Sequence, residues 1–349
     1  MKIEKKCVQN EESITKKEFN IGVEILRIYL SFTVVNTHCY IIQNNINYIF
    51  SIFLINSFHV PTFFLISFYF FYSTLTSHNL KKYKKRFQRL LIPYLVWPII
   101  IWIINNLLTH YFKIYLKKSF QDLIYQILTG HCFIEPFWFQ WNLIFQTFLL
   151  IILELYFKKN IIYILINFEL FAYFFQYSQY NHKLFSLFNY NKKYTFGRFV
   201  EMVPFSISGF IVAYFQIFEF IKKNRKKTLY ICLFIFLLTF KYKFFIDIRG
   251  FGYSGFELNI LSICLFIIFF MIQNDSLSSN LRKIIRKFSN ITPGIYYLHI
   301  PVLNYTQNFF LFVKNKTLIG AIFIYIICNI ICFIGIKLFR KSILRNLFE

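Results

Sequence analysis

The sequence alternates between long apolar runs and short polar segments that are mostly basic. The repeated runs reach about 18 residues or more, close to the ~20 that a helix needs to cross a lipid bilayer. The chain is 57% hydrophobic and only 15% charged, against roughly 45–50% and 25% in a soluble domain. These features exclude soluble, disordered and disulfide-scaffold proteins and predict an all-α, polytopic membrane helix bundle.

Ten transmembrane helices are predicted, joined by connections too short to separate domains. They form one membrane domain over residues 21–339, between a polar cytoplasmic tail at 1–20 and a basic cytoplasmic tail at 340–349. The predicted helices cover residues 21–43, 50–75, 90–108, 138–157, 160–176, 201–221, 229–246, 256–273, 291–313 and 317–339.

The distribution of Lys and Arg predicts how these helices are oriented. Of the 39 cations, 26 fall on the side that holds both termini, 12 fall on the opposite side, and Arg27 lies within the first predicted helix. Because cytoplasmic segments carry the excess of positive charge, we expect both termini in the cytoplasm and a multi-pass protein of the cell membrane. Contact with membrane lipids then explains the net charge of +24, so no nucleic-acid partner is predicted.

The first predicted helix carries a stripe of polar side chains, which are costly inside a bilayer and therefore mark candidate functional positions. At about 100° per residue, Arg27 and His38 differ by roughly 20° around the helix, and Glu24 and Ser31 lie within about 60° of the same line. His38 has the proton affinity of a general base, and Arg27 suits an anionic group. The alternative is an Arg27–Glu24 pair at the inner interface and an ordinary interfacial histidine.

Two other stretches carry candidate residues. Arg86 and Arg89 are three residues apart on one helical face, so they could clamp a phosphate-rich cofactor or simply anchor the helix at anionic lipid. Tyr296 and His299 share a face with Thr292, and the alternative there is a buried histidine that hydrogen-bonds Thr292.

The sequence shows no metal site. Its seven cysteines form no paired framework, and Cys328 and Cys332, which share a helix face, lack His or Cys partners nearby and are predicted to be packing residues. Glu169 is the most deeply placed carboxylate of the predicted helices, and the sequence offers no role for it.

Six stretches, in this order, resemble the membrane acyltransferase 3 family over about residues 20–340, nearly the whole chain. The resemblance includes the Arg-x10-His pattern at Arg27 and His38 and the Arg-x-x-Arg segment at Arg86 and Arg89. The stretches are NIGVEILRIYLSFTVVNTHCY, HVPTFFLISFYFFYS, KKRFQRLLIPYLVW, PFWFQWNLIFQTFLL, FSISGFIVAYF and GIYYLHIPVL. Further matching positions, as candidates for substrate contact or for structure, are Ser67, Tyr69, Trp138, Tyr296 and His299.

The resemblance implies an O-acyltransferase that uses acetyl-CoA or another acyl-CoA as co-substrate, with no tightly bound cofactor. Arg86 and Arg89 would hold the phosphates, and Arg27, preceded by Glu24, would help to orient the donor. His38 would deprotonate an acceptor hydroxyl or mediate transfer of the acyl group. The acceptors typical of the family are sugars of surface polysaccharide or lipid-linked glycan.

Two positions depart from the family pattern. Phe68 follows Ser67 where the family usually has glycine, which would tighten the helix packing or narrow a path, and Glu24 replaces the usual Asp. Two other functions stay open: a polysaccharide or lipid export component, and an inactive scaffold of a surface-glycan complex. A transporter is expected to show inverted repeats or helices broken by glycine and proline near the midplane, and the sequence shows neither.

Overall fold

The computed structural model describes residues 20–38, 58–112, 119–130, 137–180, 193–242, 255–309 and 318–339. Within these ranges the chain is helical and contains no β-strand, which confirms the all-α class. The α-helices are α1 (Ile21–His38), α2 (His59–Thr76), α3 (Leu80–Phe112), α4 (Phe120–Thr129), α5 (Phe137–Phe157), α6 (Ile161–Tyr180), α7 (Lys193–Tyr214), α8 (Ile217–Lys223), α9 (Arg225–Lys241), α10 (Phe256–Phe270), α11 (Ser279–Ser289), α12 (Thr292–Phe309) and α13 (Leu318–Phe339). Apart from Asn20, both predicted tails lie outside the described residues.

Two helical segments in the described part of the chain are long and apolar enough to cross a membrane. They are Leu80–Leu107 within α3 and Phe137–Phe157, which is α5. A third candidate is α7 together with α8, which are long and apolar enough when they are taken as one span with a bend of 59° between them. Each of the ten predicted segments contains helix, so the helix positions agree with the prediction, while the number of membrane crossings stays a prediction.

The structure contains two helices that the sequence did not predict, α4 and α11 (Ser279–Ser289), and differs from the predicted boundaries at two other places. α3 begins ten residues earlier than predicted, because the Asn79 side chain accepts hydrogen bonds from the backbone of Lys81 and Lys82 and starts the helix there. The sixth predicted helix is broken before α8 at Gln216, whose φ of 49° is left-handed. α4 was not predicted; it starts at a capping box between Ser119 and Asp122.

Close helix packing at two glycines holds the centre of the bundle together. A Cβ atom at Gly209 of α7 would overlap the Leu65 carbonyl of α2, and one at Gly22 of α1 would overlap the Phe269 carbonyl of α10. Small residues allow this approach of backbones, which is a common device where helices pack in a bilayer. These contacts hold α7 close against α2 and α1 close against α10.

We expect Gly209→Ala to lower the thermal unfolding midpoint in detergent clearly, at a cost of about 3 kcal/mol, because the contact is with backbone and no rotamer relieves it. Gly197→Ala is the matched control in the same helix, since a Cβ there meets nothing within 4 Å. It should leave the midpoint unchanged or slightly raised by the better helix propensity of alanine. Equal midpoints for the two variants would contradict the close packing of α2 and α7.

A buried polar network accounts for Glu169. Its carboxylate accepts hydrogen bonds from Ser208 at 3.1 Å, Asn259 at 3.1 Å and Tyr173 at 3.4 Å, which join α6, α7 and α10. Several donors around one carboxylate offset the cost of removing it from water. Glu169 therefore joins these helices through its hydrogen bonds.

Candidate active site

A cavity of about 690 Å³ lies among α1, α2, α3, α5, α11 and α12. It collects side chains from segments that are far apart in the chain, including most of the candidate residues. Its ionisable lining consists of Glu24, Arg27, Arg86, Arg89 and Arg286, and its other polar lining includes Ser31, Ser67, Ser289, Thr292 and Tyr296. With four arginines and one carboxylate among its described residues, the cavity suits a polyanion.

The wall from α1 carries the inner part of the predicted stripe. Arg27 pairs with Glu24 at 3.3 Å, and the hydroxyl of Ser289 donates to the same carboxylate. Ser31 donates to the Arg27 carbonyl at 2.9 Å and also lines the cavity. The ion pair of the alternative interpretation is therefore present, and it lies in a cavity, where Glu24 orients the guanidinium and leaves part of it available to a ligand.

The wall from α3 carries the two predicted arginines in different environments. The half-buried Arg86 donates from Nη2 to Ser67 at 3.1 Å and from Nε to Thr147 at 3.2 Å, with its Cζ 4.1 Å from the centre of the Phe71 ring. Arg89 is exposed at the cavity surface. Arg86 thus ties α2, α3 and α5 together while it lines the cavity.

Aromatic side chains connect the cavity to a pair of histidines. Tyr296 lines the cavity with Phe139, and their ring centres lie 4.9 Å apart. The ring of Tyr296 is also 5.9 Å from that of His299, which in turn lies 5.2 Å from the ring of His38. The structure therefore brings the last residue of α1 against α12, so that His38 belongs to a group of two histidines and a tyrosine.

His299 is fully buried and its proton position follows from its partners. Its Nδ1 lies 3.1 Å from the Ile295 carbonyl and 2.8 Å from the Tyr296 carbonyl. Because carbonyls only accept hydrogen bonds, Nδ1 carries a hydrogen and, in the neutral ring, Nε2 is an acceptor. Nε2 has no hydrogen-bond partner in the described structure. The hydrogen bond to Thr292 that belonged to the alternative interpretation is not formed: Thr292 donates to the Ser289 carbonyl at 2.8 Å, one turn away.

Two candidate positions, and the family departure Phe68, lie in the core instead of at the cavity. Tyr69 packs against Phe218 and Phe266 at about 5 Å between ring centres. Trp138 is 7% exposed and lies beneath the Arg198 guanidinium. Phe68, at the position where the family usually has glycine, is fully buried against Phe64 and Phe71 of the same helix and does not line the cavity. Its ring centre lies 5.4 Å from Cζ of Arg86.

Three residues of the site escaped sequence reasoning: Thr147, Ser289 and Arg286. Thr147 is one hydroxyl in an apolar helix, and nothing local marks it as a partner of Arg86. Arg286 was counted with the basic residues that orient the chain. The one available signal was the alternation of basic and apolar residues along α11, which indicates a helix lying along the edge of the bundle.

The match to a known family covers this whole site. A family described as an acyltransferase domain matches residues 20–337. Neither a curated protein nor a solved structure matches the chain significantly. The matched range contains the walls of the cavity, both histidines and the helices that hold them. The chain therefore belongs to acyltransferase family 3, and the protein is an acyltransferase.

Proposed function

We propose that the protein is an integral membrane O-acyltransferase that moves an acetyl or other short acyl group from acyl-CoA to a hydroxyl of a cell-surface or lipid-linked glycan. The observation that carries the proposal is the connection from an arginine-lined cavity, through Tyr296, to the His299–His38 pair. The positive charge of the cavity suits a polyanionic donor, and the histidines supply a base where its reactive end would lie.

The positions of the charged cavity residues along their helices favour a donor that enters from the cytoplasm. Glu24 and Arg27 lie in the first two turns of α1, Arg86 and Arg89 in the first three turns of α3, and Arg286 on α11, all at ends predicted to be cytoplasmic. His38 ends α1 at the opposite side. We propose ten membrane spans with both termini in the cytoplasm, in the cell membrane, with the acceptor reaching His38 from outside.

In this proposal the acyl group passes directly from acyl-CoA to the acceptor hydroxyl. The cavity arginines hold the phosphates of acyl-CoA, with Arg27 oriented by Glu24. His38 removes the proton of the acceptor hydroxyl while the hydroxyl oxygen forms a bond to the acyl carbon. The bond between that carbon and the CoA sulfur breaks, and the proton passes to the departing thiolate. The products are the O-acylated glycan and CoA.

His299 acts in this proposal as a positioning residue. A hydrogen bond from a His38 ring N–H to Nε2 of His299 would leave the second His38 nitrogen unprotonated and available as the base. The fixed hydrogen on Nδ1 of His299 makes its Nε2 an acceptor in the neutral ring, which is the role this arrangement requires.

We expect membranes that contain the wild-type protein to transfer label from radiolabelled acetyl-CoA to the native glycan, in a product that mild alkali cleaves as an ester. Membranes that lack the protein are the control. If no label transfers from acetyl-CoA or from other short acyl-CoA donors, the O-acyltransferase proposal fails and export or a scaffold role takes its place.

A further inference from the structure

Two of the four arginines that line the cavity are exposed to solvent. Arg27 is engaged with Glu24, and Arg86 with Ser67 and Thr147. Arg89 of α3 and Arg286 of α11 are both exposed and both line the cavity. Two guanidinium groups from different helices therefore meet the solvent at the cavity surface.

α11 presents one of its cations to the cavity and the others elsewhere. Arg282 lies 3.7 Å from Asp275, and Lys283 and Lys287 are exposed away from the cavity. Arg286 alone among the four basic residues of this fully described helix lines the cavity. Ser289, one turn on, fixes the helix there by donating to Glu24. The position of Arg286 therefore involves more than attachment to the membrane surface.

We infer that Arg286, together with Arg89, binds the 3′-phosphate on the nucleotide end of acyl-CoA. The inference rests on the proposed function, because it takes the donor to be acyl-CoA with its thioester directed at Tyr296 and the histidines. The end of the donor farthest from the thioester then lies at these exposed arginines. That end carries a phosphomonoester of about −1.5 to −2 charge near neutral pH, which an arginine fork binds through two hydrogen bonds.

Binding of CoA and 3′-dephospho-CoA to the purified protein in neutral detergent tests the inference. The wild type should bind CoA about 100-fold more tightly than 3′-dephospho-CoA, because loss of the phosphate removes the contacts with both Arg286 and Arg89. Arg286→Gln should lose about 10-fold in affinity for CoA and less than about 2-fold for 3′-dephospho-CoA. Lys287→Gln removes the same charge one residue away, outside the cavity lining, and should bind both as the wild type does.

Equal losses for the two nucleotides, no loss for either, or no binding of CoA to the wild type would overturn the inference. If Arg286 binds a lipid headgroup phosphate instead, Arg286→Gln should change the affinity for CoA only when phosphatidylglycerol is present as a competitor. That result would also overturn the inference. The transfer assay separates this result from the proposed function: selective CoA binding without acyl transfer would defeat the O-acyltransferase proposal and leave the Arg286 contact intact.

Discussion

We expect His38→Ala to lower kcat for acetyl transfer at least about 1,000-fold, within the range that a positioned general base contributes. The imidazole at the end of α1 lies against His299 and near Tyr296, and alanine removes the group that takes the proton of the acceptor hydroxyl. Initial rates with labelled acetyl-CoA, at equal protein levels, give the measurement. The KM for acetyl-CoA should change little, because the arginines that bind the donor are retained.

His78→Ala is the matched control for this substitution. His78 is exposed after α2 and lies 4.0 Å from Glu154, at the opposite end of the helices from His38. Its loss should leave kcat within about 2-fold of the wild type. If His38→Ala transfers acetyl groups as fast as the wild type, His38 is not the base, although the protein would still be an acyltransferase.

A double substitution tests whether the two histidines act as a unit. Because groups that act together are not additive, His38→Ala combined with His299→Ala should lose no more activity than His38→Ala alone. His299→Ala by itself should retain more activity than His38→Ala, since His299 acts through His38. Additive losses in the double variant would contradict a positioning role for His299 and assign it an independent one.

The second large effect is expected at Arg86. Arg86→Ala should lower kcat/KM about 100-fold and also lower the thermal unfolding midpoint, since the substitution removes a cavity charge and strips Ser67 and Thr147 of their donor. Arg86→Lys should recover only part of both, because an ammonium group on a flexible stem does not reproduce the planar fork.

Substitutions at Arg89 and Lys85 separate the two effects of Arg86→Ala, which are the loss of a cavity charge and the loss of contacts between helices. Arg89→Ala should raise the KM for acetyl-CoA about 10-fold with an unchanged unfolding midpoint, since Arg89 is exposed at the cavity. Lys85→Ala, on the same helix but outside the cavity lining, should change neither quantity. An unchanged midpoint in Arg86→Ala would contradict the bridging of α2, α3 and α5.

Sequence periodicity was informative where the signal was local. Apolar runs gave the positions of the helices, and the spacing of Glu24, Arg27 and Ser31 gave one wall of the cavity, because both depend on neighbours within a few turns. The ends of helices were harder to predict: α3 starts at Leu80 because of one Asn79 cap, and the break before α8 depends on the left-handed backbone of Gln216.

Contacts between distant segments could not be read from spacing. Arg86 meets Thr147, and His38 meets His299, through the packing of helices whose order in the sequence says nothing about their order in space. Arg286 escaped for another reason: its basic neighbours already had a sufficient explanation in membrane orientation. The hydrogen bond from Ser289 to Glu24 places α11 beside α1, and Arg286 thereby lines the cavity.

The contact between the Phe139 and Tyr296 rings bears on the proton-motive force across the membrane. A water-filled passage joining the cavity to the histidines would let protons flow through every copy of the protein. The two rings line the cavity on its way to His299, and their centres lie 4.9 Å apart. In the proposed orientation, the acyl group passes these two rings before it reaches His38, and we expect their contact to oppose the leak of protons through the protein.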